Sequence, residues 1–299
     1  MTSASAASAP PRQDTLRGIL LMLGAVAVFS TMDALIKHLA ESYSPLQIIF
    51  FRNLFAFLPL LPVLARGGGI ALLRTQRLGS HLGRAAMGFG AMICFFTAFA
   101  LMPLADVVAI SLSAPIFVTA FSVPLLAERV GPRRWAAVLV GFLGVLVMVR
   151  PGGEGLVQPA ALLPLGGAVL YALALIAMRK LGATERATTT VFYFTLACTV
   201  MSALAQPFVW RTPDLADFAL LVCVGLLGGS AQLLMTQSLR LAPAAVVAPF
   251  DYSALVFSIG YGFLFWGEVP DWMLLAGAVI VVASGLYILH RETMRRKTG

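Results

Sequence analysis

Two stretches decide how this chain is read: Leu101-Met-Pro-Leu-Ala-Asp-Val-Val-Ala109 and Leu241-Ala-Pro-Ala-Ala-Val-Val-Ala248. With Pro103 set on Pro243, the same offset brings Phe117 onto Phe257 and Glu128 onto Glu268. Further on, Gly144 through Arg150 resembles Gly285 through Arg291. Upstream, Gly24-Ala-Val26 followed by Lys37 resembles Gly167-Ala-Val169 followed by Lys180. The same plan is written twice, and the composition says in which solvent each copy must fold.

That solvent is lipid. Of 299 residues, 60% are hydrophobic and 11% are charged, whereas a soluble domain runs at about 45–50% and 25%. The 21 basic and 13 acidic side chains cannot coat a water-soluble body of this length. An ordinary soluble enzyme, a disordered chain and a disulfide-stapled secreted domain are thereby excluded. Cys94, Cys198 and Cys223 lie in apolar runs with no paired spacing and read as small apolar side chains.

A helix needs roughly 20 residues to cross about 30 Å of hydrocarbon. Breaks at Gly, Pro and charge clusters leave ten such stretches, near 18–39, 46–65, 82–101, 105–126, 135–149, 160–179, 188–209, 217–239, 244–266 and 272–290. The first carries Asp33 and Lys37 towards its far end, unlike a signal-peptide core, and is expected to be retained. Links as short as Met102-Pro103-Leu104 require neighbouring helices to run antiparallel.

Charge then sets orientation. With the N-terminus in the cytoplasm, seventeen of the 21 Lys and Arg fall on that side. Lys37, Arg150 and Arg211 alone fall outside, and Arg52 is left within a span. The net charge of +8 is therefore a topology signal and not a nucleic-acid patch. Each copy holds five spans, an odd number, so the second enters the membrane upside down. The expected fold is an all-α polytopic membrane protein: ten transmembrane helices as two inverted five-helix repeats, with both termini cytoplasmic. Its parts are a cytoplasmic tail 1–17, the repeats 18–150 and 159–290, and a basic cytoplasmic tail 291–299.

These landmarks resemble the EamA family of the drug/metabolite transporter superfamily. The first half carries Met-Pro-Leu-Ala-Asp (102–106), Ser-Ala-Pro-Ile-Phe (113–117), Leu-Ala-Glu-Arg (126–129), Trp135 and Gly-Phe-Leu-Gly-Val (141–145). The second carries Leu-Ala-Pro-Ala (241–244), Ala-Pro-Phe-Asp-Tyr (248–252) and Trp-Gly-Glu (266–268). Asp33 to Lys37, followed by Phe51-Arg52-Asn53, is most similar to the branch holding bacterial riboflavin and S-adenosylmethionine importers. The resemblance implies ten helices and alternating access. The family also holds amino-acid and drug exporters, so direction and coupling ion stay open.

An ionised side chain at the bilayer centre costs at least about 2.5–3.5 kcal/mol and survives by pairing or by facing a wet cavity. Asp33 and Arg52 fall at matching depths in adjacent spans, which predicts an ion pair. Ser30, Asp33 and Lys37 share a helical face, so Lys37 could compete for that carboxylate. The pair reads equally as a pin between helices. Asp251 falls mid-span, two residues after Pro249, where a proline frees a backbone carbonyl. A cation, a proton or a cationic substrate group could bind there, with Tyr252 beside it. A hydrogen bond to a neighbouring helix, or to Arg52, is the plainer reading.

Asp106 suits a helix start, and the repeated Glu128 and Glu268 suit loop anchoring. Gln232 and Thr236, four residues apart, could read a heteroaromatic ring or bond another helix. Gly225 and Gly229 form a GxxxG of the kind that packs helices. The candidate transport residues are thus Asp33, Arg52, Asn53, Gln232, Thr236, Asp251 and Tyr252, with Pro115 and Pro249 as helix breaks or gates. Trp210, Trp266 and Trp272 read as interfacial anchors.

No GxxxxGK[ST] and no HExxH occurs, so neither an ATP-driven pump on this chain nor a metalloprotease is expected. No cofactor or metal is called for. The expectation is a multi-pass inner-membrane secondary transporter, not an enzyme, that moves a small organic metabolite by alternating access. Uptake of riboflavin or S-adenosylmethionine leads, and export of aromatic amino acids or drugs follows. A membrane-embedded enzyme on a lipid-linked substrate is the reading from another class. Its partners are a small-molecule substrate and the bilayer, with room for a coupling proton or cation, as a monomer or homodimer.

Overall fold

A computed structural model describes residues 15–67, 73–127, 131–149, 159–182, 184–242 and 244–298. The N-terminal tail through residue 14 and the landmarks Glu128, Arg150 and Pro243 lie outside these. Among the described residues every regular element is helical: α1 (Thr15–Ala40), α2 (Pro45–Gly67), α3 (Leu78–Leu101), α4 (Leu104–Ser111), α5 (Ala114–Leu126), α6 (Pro132–Val149), α7 (Leu162–Gly182), α8 (Ala187–Val209), α9 (Leu215–Leu241), α10 (Ala244–Val247), α11 (Ser253–Trp266) and α12 (Trp272–Thr298). Short 3-10 turns occupy Pro159–Ala161 and Ala248–Tyr252.

Among the described residues eight stretches are long and apolar enough to cross a bilayer, α4 and α5 together making one of them. The apolar part of α6, Trp135–Val149, is shorter. The stretch 244–266, expected as one span, is broken into α10, a 3-10 turn and α11. Both breaks sit at an Ala-Pro step, because proline has no N–H to continue the ladder. Nearby serines add side-chain bonds to the same turns. Ser111 and Ser113 donate to the carbonyls of Val108 and Ile110 at 2.7 and 2.6 Å, and Ser253 donates to Phe250 O at 2.6 Å. At the other extreme, α12 does not end with its apolar part at His290 but continues as helix through most of the expected tail.

Contacts between the links sort them into two ends of the bundle. At the end opposite Thr15, the far end, Tyr43 donates to Asp217 at 2.7 Å, Gln47 Nε2 donates to Arg211 O at 2.6 Å, and Arg211 N–H donates back to Gln47 Oε1 at 2.9 Å. The bond to Asp217 pushes the Tyr43 hydroxyl above the usual tyrosine range. At the near end Thr75 donates to Glu185 at 2.8 Å, Tyr193 to Leu73 O at 2.7 Å and Ser238 to Gly18 O at 2.6 Å. Neighbouring spans therefore alternate in direction, as the short links require.

Within the bundle α1 packs on α9, α3 on α7, α6 on α12, and α2 against α8 and α9. The surface is the inverse of a soluble protein's. Phe208, Leu215 and Leu264 are 88%, 86% and 75% exposed, while Gln47, Asn53, Ser202 and Ser238 are fully buried. Apolar side chains face the lipid, and polar ones are collected inside.

Candidate functional site

Between α2, α3, α8 and α9 lies a narrow crevice. Arg52, Ala56 and Leu60 reach it from one face of α2 and Arg84 from α3; Phe194 and Thr195 come from α8, and Gly228, Gly229 and Gln232 from α9. The spacing of four residues along α2 places those three on a common stripe. Arg52 is seven residues, about 10 Å, in from the far end of α2. Arg84 is six residues, about 9 Å, in from the near end of α3. Both guanidiniums thus sit at depths where lipid lies on the outside of the bundle.

Arg52 is held from behind. Its Nη1 donates to Asn53 Oδ1 at 3.0 Å, and Asn53 Nδ2 donates in turn to Ile49 O at 2.8 Å. Asn53, fully buried, is oriented towards its own helix and positions the arginine; it does not line the crevice. The expected ion pair with Asp33 is not made: among the described residues no carboxylate oxygen comes within 4.0 Å of Arg52, although the two groups sense one another through space. A Cβ on Gly228 would stand 3.1 Å from Arg52 Nε and 3.0 Å from Met32 Sδ. Arg52 therefore lies with Nε close over the bare Cα of Gly228, where a Cβ would crowd it. Its Nε is buried with no hydrogen-bond partner.

Arg84 is the residue that sequence reasoning missed, having counted it only among the topology charges. Its guanidinium stands 4.3 Å from the centre of the Phe194 ring. Gly88, one turn further along α3, leaves space for that ring, which a Cβ would meet at 2.6 Å. Nη2 faces Met178 Sδ at 3.7 Å, a weak acceptor, and Nε and Nη1 are buried without partners. The available signal was its position inside an apolar helix, among Gly83, Ala85, Ala86 and Gly88.

The other expected residues divide. Gln232 lines the crevice with Arg52. Thr236 spends its hydroxyl hydrogen on Gln232 O at 2.7 Å, within its own helix. Asp251 lies on the 3-10 turn, exposed, and is not brought to Arg52. Its electrostatic neighbours are the hydroxyls of Tyr171 and Tyr252. Tyr252 rests against α12 at Gly285, where a Cβ would overlap its hydroxyl. Pro249 is half-buried in that turn, and Pro115 is exposed at the start of α5.

Lys37 does not turn to Asp33 either. At the far end it pairs with Glu268 at 2.9 Å and donates to the carbonyls of Met102 and Phe99 at 2.7 and 3.4 Å. Phe99 O would normally accept from the residue four further on, but that is Pro103, which has no N–H. Glu268 also accepts from the first amide of α4, Leu104 N–H, at 2.9 Å. Gly267, at φ +66°, turns the chain so that Glu268 N–H reaches Gly262 O at 3.0 Å. One ion pair therefore ties α1, the α3–α4 joint and the end of α11. The anchoring role read for Glu268 is what this geometry performs at the far end.

The model of the EamA-like transporter family matches residues 16–150 and, a second time, residues 158–289, so the chain belongs to that family. The pseudopaline exporter CntI of Pseudomonas aeruginosa is 34% identical over 271 residues, 89% of this chain and 94% of that protein. A riboflavin transporter of Rhizobium johnstonii is 31% identical, covering 99% and 98%. An S-adenosylmethionine uptake transporter of Rickettsia bellii is 29% identical, covering 92% and 94%. A solved crystal structure at 21% identity superposes with a TM-score of 0.64 over 94% of this chain and 99% of its own, which speaks for a shared fold. The protein is a multi-pass membrane transporter of the inner membrane and not an enzyme.

Proposed function

We propose that this transporter moves a small organic metabolite by alternating access, with ten spans in two inverted five-helix repeats, 18–150 and 159–290, and both termini in the cytoplasm. The observation that carries the reading is the crevice itself: α2 and α3 of the first half and α8 and α9 of the second supply its walls together. A site shared by two halves is the geometry that rocking of one half on the other requires. The double match of the family model supports the repeat. So does the packing of α1 on α9 and of α3 on α7, partnerships that exchange when the halves are exchanged.

Arg52 and Gln232 contact the solute, and Asp33 and Asp251 are accessible carboxylates for its cationic part or for a coupling proton. The breaks at Pro115 and Pro249 lie in the two matching segments and serve as the gating joints. Uptake of riboflavin or S-adenosylmethionine fits the relatives at 31% and 29% identity, and the exporter at 34% supports outward movement of a metabolite as the second reading. Counterflow of labelled riboflavin, S-adenosylmethionine and aromatic amino acids into proteoliposomes tests this. At least one solute exchanges in the wild type, and Asp251→Asn and Arg52→Gln reduce it. If nothing exchanges, or both variants exchange like wild type, the site is wrong.

A further inference from the structure

The crevice holds more positive charge than the protein neutralises. Arg52 and Arg84 both line it, and among the described residues no acidic one does. Among the described residues Asp33 is the one carboxylate that Arg52 senses, and it is not in contact. Arg84 senses only Cys198 and Tyr171, groups that are ordinarily uncharged near neutral pH. Cys198 senses both guanidiniums through space, and both arginines line the same crevice. Even with Asp33 ionised, two guanidiniums face one carboxylate. Three of their N–H-bearing atoms, Arg52 Nε and Arg84 Nε and Nη1, are buried with no acceptor among the described residues.

An unpaired buried guanidinium is among the costliest arrangements a protein can keep, and in a membrane such a residue marks a substrate path by default. Each fork is also held in place. Asn53 fixes Arg52, and the Phe194 ring supports Arg84. Gln232 adds an amide on the opposite wall. What is absent is the acceptor. From this geometry we propose that Arg52 and Arg84 form an anion subsite, which receives a carboxylate of the transported solute between the two guanidiniums. A planar carboxylate matches the planar N–H forks and suits a slot this narrow. The proposal rests on the transport reading above and sharpens its substrate class. S-adenosylmethionine and amino acids carry the required group, whereas riboflavin, which has no anionic group, does not.

Purified protein in detergent free of phospholipid is titrated calorimetrically with glutarate and with its neutral analogue glutaramide at millimolar concentration. Glutarate binds to wild type and glutaramide does not. Arg84→Gln raises the dissociation constant for glutarate by about ten-fold or more, and Arg84→Lys retains part of the affinity. Arg133→Gln, at the exposed start of α6, leaves it unchanged. Equal binding of the diamide, no binding of glutarate to wild type, or wild-type affinity in Arg84→Gln overturns the subsite. The glutarate and glutaramide comparison needs no variant, so a variant that fails to fold does not blunt the test. Failure of counterflow for every solute, with glutarate binding intact, removes the transport reading and leaves the subsite. Riboflavin counterflow that glutarate does not inhibit, with no glutarate binding, does the reverse.

Discussion

Lys37 shows how far a single side chain can depart from its spacing. Its interval from Asp33 places both on one face of α1, and that much is legible in the sequence. What decides its partner is that Pro103 strips Phe99 O of its helical donor and that Gly267 turns Glu268 inward. Neither event is local to α1. The resulting pair is nearly enclosed, with Lys37 at 9% and Glu268 at 18% side-chain exposure. Removing one member strands the other, which typically costs about 3 kcal/mol. Glu268→Gln is therefore expected to lower thermal stability in detergent markedly, and adding Lys37→Met should restore part of the loss because no buried ammonium is left uncompensated. A Glu268→Gln variant that melts with wild type would show that the pair contributes nothing. The same locality problem explains Asp33 and Arg52. Their depth match was readable, but the close approach of Arg52 to Gly228 on α9 was not.

At the scale of helices, the GxxxG of α9 was readable as a packing motif, and it packs on α2. A Cβ on Gly225 would overlap Phe55 Cβ and stand 3.1 Å from Phe51 O; one on Gly229 would meet Pro59 Cγ at 2.5 Å and Ala56 O at 2.9 Å. Because backbone atoms of α2 are among the obstacles, rotamer changes cannot absorb an added methyl, and α2 must shift as a body. Overpacking of this kind costs about 1–3 kcal/mol. Gly225→Ala should lower the melting temperature and also weaken solute binding, since Arg52 travels with α2. Gly24→Ala, where nothing lies within 4 Å, should do neither. If both variants behave alike, the close approach of α2 and α9 is not what holds Arg52. The glycine between the pair, Gly228, was invisible to motif reading because its role is towards a side chain on another helix. Arg84 was missed for a related reason. Hydropathy registers one charge in an apolar helix, but not whether that charge has a partner.

For the molecule as a whole, lipid as solvent follows from composition, and the repeat follows from the proline and glutamate landmarks. Orientation rests on the distribution of Lys and Arg alone. The matching links of the two halves offer a direct test. The alignment of Lys37 with Lys180 sets the α1–α2 link against the α7–α8 link, so Ser42 corresponds to Glu185. In the fold these links occupy opposite ends of the bundle: Ser42 O accepts from Arg211 at the far end, and Glu185 accepts from Thr75 at the near end. Single cysteines at the exposed positions Ser42 and Arg186, in a background with Cys94, Cys198 and Cys223 replaced by alanine, should react with a membrane-impermeant maleimide from opposite sides. Ser42→Cys is labelled on intact cells, and Arg186→Cys only after permeabilisation. Labelling of both from one side would remove the inversion, and with it the reason for placing the solute between the halves. Labelling with the sides exchanged would leave the inversion standing but turn the molecule over. The Lys37–Glu268 tie would then face the cytoplasm, and Arg84, not Arg52, would be the first guanidinium that an incoming anion meets.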